Sequence, residues 1–166
     1  MSEPVPLSEK NIGCAISLID KVFPYKEDQE LARINLIETL EHKNYGQDYW
    51  FATDGENKII GMTGLYLDQK NRNDKSNIWL GWFGVHPDYR RRGIGSSLLQ
   101  FSINEAKSSG FKTMKIYTST DENELAAHKL YNDHGFKKIE QSKNTGIIYY
   151  LKNLDELVKS QNMMAK

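Results

Sequence analysis

Between Ile78 and Ser119 the chain changes period twice. An apolar run, Ile78–Val85, ends at Pro87 and Asp88; Ile94, Leu98, Leu99, Ile103 and Ala106 then recur at helical spacing; Gly110 closes that stripe, and Thr113–Ser119 reads as strand again. Strand, helix and strand in this order constrain the fold more than anything else in the chain. Two strands joined through a helix are expected to lie parallel, with a right-handed crossover. A helix that is apolar along one stripe needs a sheet face to cover it.

The flanking elements read as antiparallel. Tyr49–Thr53 and Lys58–Asp68 enclose the turn Asp54-Gly55-Glu56-Asn57, and Lys137–Ser142 and Gly146–Lys152 enclose a turn around Asn144. The N-terminal third reads as helical. Ile12, Ala15, Ile16 and Ile19 form a stripe with Ser8 as cap and Pro24 as stop, and Cys14 sits on it as a small buried hydrophobe. A second helix is predicted from about Lys26 to His42, with Leu31, Ile34, Ile37 and Leu40 mostly on one side. Another runs from about Asn123 to His134 and stops at Gly135, and Leu154–Val158 adds a terminal helical turn. The expected class is α/β in the α+β sense: a mixed sheet with helices on its faces, in a single domain over residues 1–166.

Composition removes several function classes. Lys and Arg total 22 and Asp and Glu total 22, so net charge gives no reason to expect nucleic acid or an anionic membrane as partner. One cysteine cannot form an internal disulfide or a cysteine-rich zinc site, and no metal is expected. Met1-Ser2-Glu3-Pro4-Val5-Pro6 lacks the basic start and apolar run of a signal peptide. The apolar stretches Ile59–Leu67 and Ile78–Val85 fall well short of the ~20 residues that span a bilayer. A cytoplasmic location is the expectation.

The chemistry concentrates in Val85-His86-Pro87-Asp88-Tyr89-Arg90-Arg91-Arg92-Gly93-Ile94-Gly95-Ser96. A turn between a strand and a helix exposes the first helical N–H groups, which have no partner inside the helix and face the positive end of its dipole. Gly93 and Gly95 let a ligand approach the backbone, and Arg90, Arg91 and Arg92 bring guanidinium groups that suit phosphate. The local physics describes a phosphate or pyrophosphate site. The plainer alternative is glycines that pack a helix on a strand and arginines on a solvated face. The dinucleotide pattern G-x-G-x-x-G is not met, because Leu98 stands at its third glycine, and the P-loop ending is absent.

Val85-x-Pro87-x-x-Arg90-x-x-Gly93-x-Gly95 resembles the acetyl-CoA signature of the GNAT superfamily of N-acetyltransferases, whose core pattern is Q/R-x-x-G-x-G/A. Roughly forty residues later, Ala127-x-x-Leu130-Tyr131-x-x-x-Gly135-Phe136 resembles the second motif of that family, in the right order and beyond a strand. The resemblance spans about Lys58 to Leu151. It implies a mostly antiparallel sheet of six or seven strands, about four helices, and acetyl-CoA as cosubstrate. The fourth and fifth strands, Ile78–Val85 and Thr113–Ser119, would splay into a V that admits the pantetheine arm, helped by a bulge at Gly81 or Gly84. Backbone groups of Phe83 and Val85 would pair with the pantetheine. Those of Arg91, Arg92, Gly93, Ile94, Gly95 and Ser96 would hold the pyrophosphate beside Arg90.

The resemblance also implies direct acetyl transfer to an amine and nominates Tyr131 as general acid toward the departing sulfur. A phenol with an ordinary pKa near 10 can donate at neutral pH; its plainer role is a helix-borne core aromatic. Related proteins often carry an asparagine seven residues before this tyrosine, in contact with the cofactor. That place is Glu124 here, and Asn123 stands eight before, either as a shifted cofactor contact or as the helix N-cap. The general base stays open: Ile78–Val85 holds no acidic residue, which leaves Glu38, Glu41 and Asp68 by elimination, or a water relay. His86 reads as a solvated loop residue, and His128 and His134 as surface helix residues.

Trp79 and Trp82, three apart, face opposite sides of a strand unless a bulge intervenes. With Tyr49, Trp50 and Tyr66 they make an aromatic sheet that serves as core or lines an acceptor pocket. The expected acceptor is a primary amine of a small molecule or amino acid. Acetylation of a protein or peptide amine, and a non-catalytic CoA-binding sensor, are the alternatives. The apolar run Ile147–Leu151 suggests a sheet edge for a homodimer partner.

Overall fold

The computed structural model describes residues 2–43, 46–68, 70 and 73–155. In chain order its elements are β1 (Val5–Pro6), α1 (Ile12–Val22), α2 (Lys26–Leu40), β2 (Gln47–Thr53), β3 (Ile59–Tyr66), β4 (Asn77–Leu80), β5 (Gly84–Val85), a 3-10 turn (Pro87–Tyr89), α3 (Ile94–Ser108), β6 (Thr113–Ser119), α4 (Glu122–Asp133), β7 (Lys137–Gln141) and β8 (Ile147–Asn153). The strands form one sheet in the order β1-β2-β3-β4-β6-β8-β7, with β5 also paired to β3. The β4–β6 pair is parallel and every other pair is antiparallel, as a strand–helix–strand unit between hairpins requires.

Alternation along the strands divides the core. Tyr49, Phe51 and Met62 pack with Ala15, Leu18, Ile19, Ala32 and Leu36 of α1 and α2. On the opposite face Leu65, Ile78, Leu80, Met114 and Ile116 pack with Leu99, Ile103 and Ala106 of α3 and with Tyr131 of α4.

The N-terminal helices correct three expectations. α1 buries Ala15, Leu18 and Ile19, a stripe that leaves Cys14 exposed. Asn11, not Ser8, precedes its first turn, and the Asn11 side chain accepts from Ser8 N at 2.8 Å and donates to Pro6 O at 2.8 Å. α2 turns its apolar stripe outward: Leu31 and Ile34 are 51% and 50% exposed, while Ala32 and Leu36 are fully buried. The small Ala32 lets the helix approach its neighbours closely, and that contact decides which side faces in.

At the other end of the sheet β8 lies between β6 and β7, so Ile147–Leu151 is interior and the edge is β7, exposed along its length with Lys137, Lys138 and Glu140. Leu154 is buried, and the rest of the expected terminal turn lies, from residue 156, outside the described residues. No helix among the described residues is long and apolar enough to cross a membrane.

Candidate active site

The run expected as one strand from Ile78 to Val85 is broken into β4 and β5. Leu65 of β3 opposes Leu80 and Met62 opposes Gly84, so Thr63 and Gly64 face three residues, Gly81, Trp82 and Phe83. That extra residue is a bulge. Gly81 opens it, donating its N–H to Gly64 O at 2.7 Å, and Gly84 already belongs to the resumed pairing. The extra residue inverts the parity of the strand. Trp79 stacks on Tyr66 and Trp82 packs edge-on against Phe23, both on the α1–α2 face, while Phe83 and Val85 turn to the α3 face. On its other side β4 pairs with β6 only as far as Trp79–Lys115, although β6 runs on along β8 to Ser119. Beyond that pair the two arms separate into a V.

The turn after β5 builds the cradle. His86 caps the 3-10 turn, its Nδ1 accepting from Asp88 N at 3.1 Å and its ring packing against Tyr89; with its side chain 13% exposed it is covered rather than solvated. Arg91 and Gly93 hold left-handed backbone at φ 63° and 80°. Left-handed residues spaced this way gather successive N–H groups on one side, the geometry of an anion nest. The N–H groups of Ile94, Gly95 and Ser96 continue it, because the first helical bond runs from Ser97 N to Gly93 O at 3.0 Å.

Side chains in this segment have separate tasks. Ile94 is buried, which leaves only its backbone to a ligand. A Cβ on Gly95 would lie 3.5 Å from Leu130 Cδ2 and 3.7 Å from Val85 Cγ2, so the first turn of α3 rests against the β5 arm and α4. Arg90 Nε donates to Val85 O at 3.1 Å, and the Arg92 guanidinium lies 5.1 Å over the Tyr89 ring. Ser96 Oγ is 2.9 Å from His134 Nε2, tying the cradle to the end of α4. Burial lowers the pKa of His134, and Lys152 acts in the same direction.

Tyr131 lies between the arms. Its ring centroid is 6.4 Å from Phe83 on one arm and 5.8 Å from Tyr150, the β8 partner of Ile116 on the other. The side chain is 6% exposed. Burial raises its pKa well above the ordinary phenol value, with Glu124 and Tyr150 adding to the rise, so the phenol keeps its proton at neutral pH.

The start of α4 differs from expectation. Asp121, not Asn123, is the N-cap: its Oδ1 accepts from Asn123 N at 2.9 Å and from Asn123 Nδ2 at 2.8 Å. Tyr25 Oη donates to Asp121 Oδ2 at 2.5 Å, which brings the start of α2 to the start of α4. Glu124 accepts from Thr118 Oγ1 at 2.7 Å and from Ser119 N, the last two residues of β6. His128 Nε2 lies 3.0 Å from Ser119 O, with its ring against Tyr150, so it is not a free surface histidine. Asp121-x-x-Glu124 has the form of a capping box, but the Glu124 carboxylate reaches past the cap to Ser119 N.

The base candidates reached by elimination lie elsewhere. Asp28 opens α2 near the V and feels Glu124, whereas Glu38 is ten residues further along the helix, about 15 Å away. Glu41 is ion-paired to Lys43 at 2.6 Å, and Asp68 accepts from Lys70 N. On the α1–α2 face Trp79 stacks on Tyr66 at 6.2 Å and meets Tyr117 and Tyr149 edge-on, with Lys115 Nζ 5.6 Å from its ring centroid. Tyr117 is 55% exposed, and its pKa is raised by burial, then by Asp28 and Glu124. A cavity of about 670 Å³ opens instead between the end of α2 and β1–β2, lined by Thr39, His42, Gln47 and Trp50. It contains none of the motif residues.

Comparison with known proteins agrees with this geometry. The profile of the Acetyltransferase (GNAT) family matches residues 15–136. Human N-acetyltransferase 8 is 33% identical over 98 residues, 58% of this chain and 41% of that protein. The spermine/spermidine N(1)-acetyltransferase of Bacillus subtilis (strain 168) is 30% identical over 101 residues, 61% of this chain and 66% of that protein. The chain thus spans less than two thirds of these curated relatives. Among solved structures, a GNAT-family protein from Desulfovibrio desulfuricans superposes with a TM-score of 0.80 at 17% identity, covering 92% of this chain and 98% of that one. The PaiA N-acetyltransferase of Thermoplasma acidophilum, solved with coenzyme A, gives 0.70 at 16% identity, covering 92% and 99%.

Proposed function

The chain belongs to the Acetyltransferase (GNAT) family, and from that premise we propose that it moves the acetyl group of acetyl-CoA directly to a primary amine of a small cationic molecule, of the polyamine class. The observation that carries the reading is the V itself: two arms that part beyond Trp79–Lys115, an anion nest at the foot of one, and Tyr131 between them.

The nest tests the fit of the cosubstrate. Converging N–H groups from Arg91 to Ser96, with the exposed Arg91 side chain beside them, suit a diphosphate. Phe83 and Val85 line the arm a pantetheine chain would follow; one lone pair of the Val85 carbonyl is already engaged by Arg90. Bound there, acetyl-CoA supplies an activated thioester. Tyr131 is the general acid: its phenol stands between the two arms and carries a proton at neutral pH that a developing thiolate can take. The protein's main contribution is holding amine and thioester together. Asn123, whose side chain is committed to Asp121 and exposed, is retained only as a peripheral cofactor contact.

Two features support a cationic acceptor. The aromatic wall of Tyr66, Trp79, Tyr117 and Tyr149 offers ring faces that attract ammonium groups, as Lys115 over Trp79 illustrates. The carboxylates of Asp28 and Glu124 lie near the exposed Tyr117. The polyamine enzyme among the relatives points the same way.

The test is free-thiol release from acetyl-CoA with spermidine, spermine, aminosugars and amino acids in one pool and short peptides bearing free N-termini or lysines in another. Release with polyamines establishes the reading. Release with peptides alone replaces it by a peptide acetyltransferase, and acetyl-CoA binding without release from either pool points to a sensor.

A further inference from the structure

We infer that Glu124 is the acceptor-side catalytic carboxylate, the group that takes a proton from the attacking amine while Tyr131 gives one to the leaving sulfur. This rests on the transferase reading above and supplies the base that the strand Ile78–Val85 lacks.

Placement comes first. Residues seven apart on a helix share a face, so Glu124 lies two turns from Tyr131 on the side of α4 that looks into the V. Its carboxylate is fixed there by Thr118 Oγ1 at 2.7 Å and by Ser119 N, at the tip of the β6 arm. Two donors leave further lone-pair directions on a carboxylate, which offers about four. An ionised glutamate cannot donate as an asparagine would; beyond the two bonds it already accepts, its remaining lone pairs can accept from a donor, receive a proton or hold a cation.

The surroundings fit that task. Glu124 is within electrostatic reach of Asp28 on α2, Tyr25 before it, Tyr117 on β6 and Tyr131 on its own helix, and His128 shares its Thr118 contact. The ion pairs of Arg33, Lys43, His86 and Lys129 all go to other carboxylates. In the step, an acceptor ammonium first loses one proton to solvent. The freed nitrogen lone pair then forms the bond to the carbonyl carbon, and Glu124 takes the second proton from the now cationic nitrogen. Tyr131 protonates the sulfur as the carbon–sulfur bond breaks, the bonding pair leaving with sulfur. Solvent returns the proton from Glu124 to Tyr131, so the sum is ammonium plus thioester giving amide, thiol and one proton.

The experiment compares wild type, Glu124→Gln and Glu124→Asp with spermidine, following thiol release across pH 7 to about 9.5 and acetyl-CoA binding by calorimetry. Gln keeps an oxygen for Thr118 and Ser119, so the fold is retained. Turnover of Glu124→Gln is expected to fall about 10²-fold and to rise more steeply with pH than wild type, because hydroxide must then take the second proton. Acetyl-CoA affinity is expected to stay within about twofold, with Asp recovering part of the rate. Wild-type turnover and pH profile in Glu124→Gln overturn the inference. So does a loss of acetyl-CoA affinity that accounts for the loss of rate, which makes Glu124 a cofactor contact. A wild-type protein that binds acetyl-CoA yet acetylates nothing overturns the transferase reading, and this inference with it.

Discussion

Thr63 Oγ1 lies 2.6 Å from Ser102 Oγ, with both residues fully buried between β3 and α3. Ser102 Oγ also donates to Leu98 O at 2.9 Å, so its single hydrogen is spent and Thr63 must be the donor of the shared bond. This pair fixes the helix that carries the cradle to β3, the strand that faces the bulge. Ser102→Ala leaves the Thr63 hydroxyl unsatisfied, and a loss of about 1–3 kcal/mol is expected. Thr63→Val leaves Ser102 still bonded to Leu98, and about 1 kcal/mol is expected. Thermal unfolding orders the two; a larger loss for Thr63→Val reverses the donor assignment.

Gly93 and Gly95 serve different ends, and alanine separates them. At Gly93, φ of 80° strains any side chain although a Cβ meets nothing within 4 Å. Gly93→Ala should cost about 1–2 kcal/mol and lower the melting temperature by roughly 2–8 °C. At Gly95 a Cβ makes only ordinary contacts, the nearest at 3.5 Å. Gly95→Ala should leave the melting temperature unchanged or raised, since alanine favours the helix. Calorimetric acetyl-CoA affinity should nevertheless drop about tenfold, because a methyl group now stands among Val85, Phe83 and Leu130, beside the arm a pantetheine chain would follow.

Tyr131→Phe removes one hydroxyl from a packed aromatic cluster. The ring contacts to Phe83, Phe136 and Tyr150 survive. Turnover should fall by about 10²–10⁴-fold, with acetyl-CoA affinity within about twofold. Steady-state kinetics beside calorimetry decide it, and unchanged turnover removes Tyr131 from proton transfer.

His134 gives the fold a pH dependence of known sign. Its pKa is lowered from 6.5 by burial first and by Lys152 second. The folded state therefore binds fewer protons than the unfolded one just below that value. Its contribution to stability is whole above about pH 6.5 and is lost as pH falls toward the lowered value. The melting temperature of wild type minus that of His134→Gln should shrink between pH 7.5 and 5.5. A constant difference means that the Ser96 contact does not depend on the neutral ring.

The sequence by itself determined the local pieces. Pro87, Gly93 and the stripe from Ile94 to Ala106 specify strand, turn and helix through backbone angles and a 3.6-residue period, both properties of short windows. Helix order then forces one parallel pair among antiparallel hairpins, and the two motifs mark the cradle and Tyr131. Tertiary structure decided what depends on a distant partner. The bulge at Gly81–Phe83 exists only against Thr63 and Gly64 of β3, and it puts Trp79 and Trp82 on one face where alternation alone separates them. Cys14 and the stripe of α2 turned outward because packing against the sheet, not apolar content, chose the buried side. The motif spacing already put Glu124 where relatives carry an asparagine, but what its carboxylate does was decided only when β6 delivered Thr118 and Ser119 to it. Periodicity reports which side of an element is apolar; which neighbour meets that side is settled by register and packing between residues far apart in the chain.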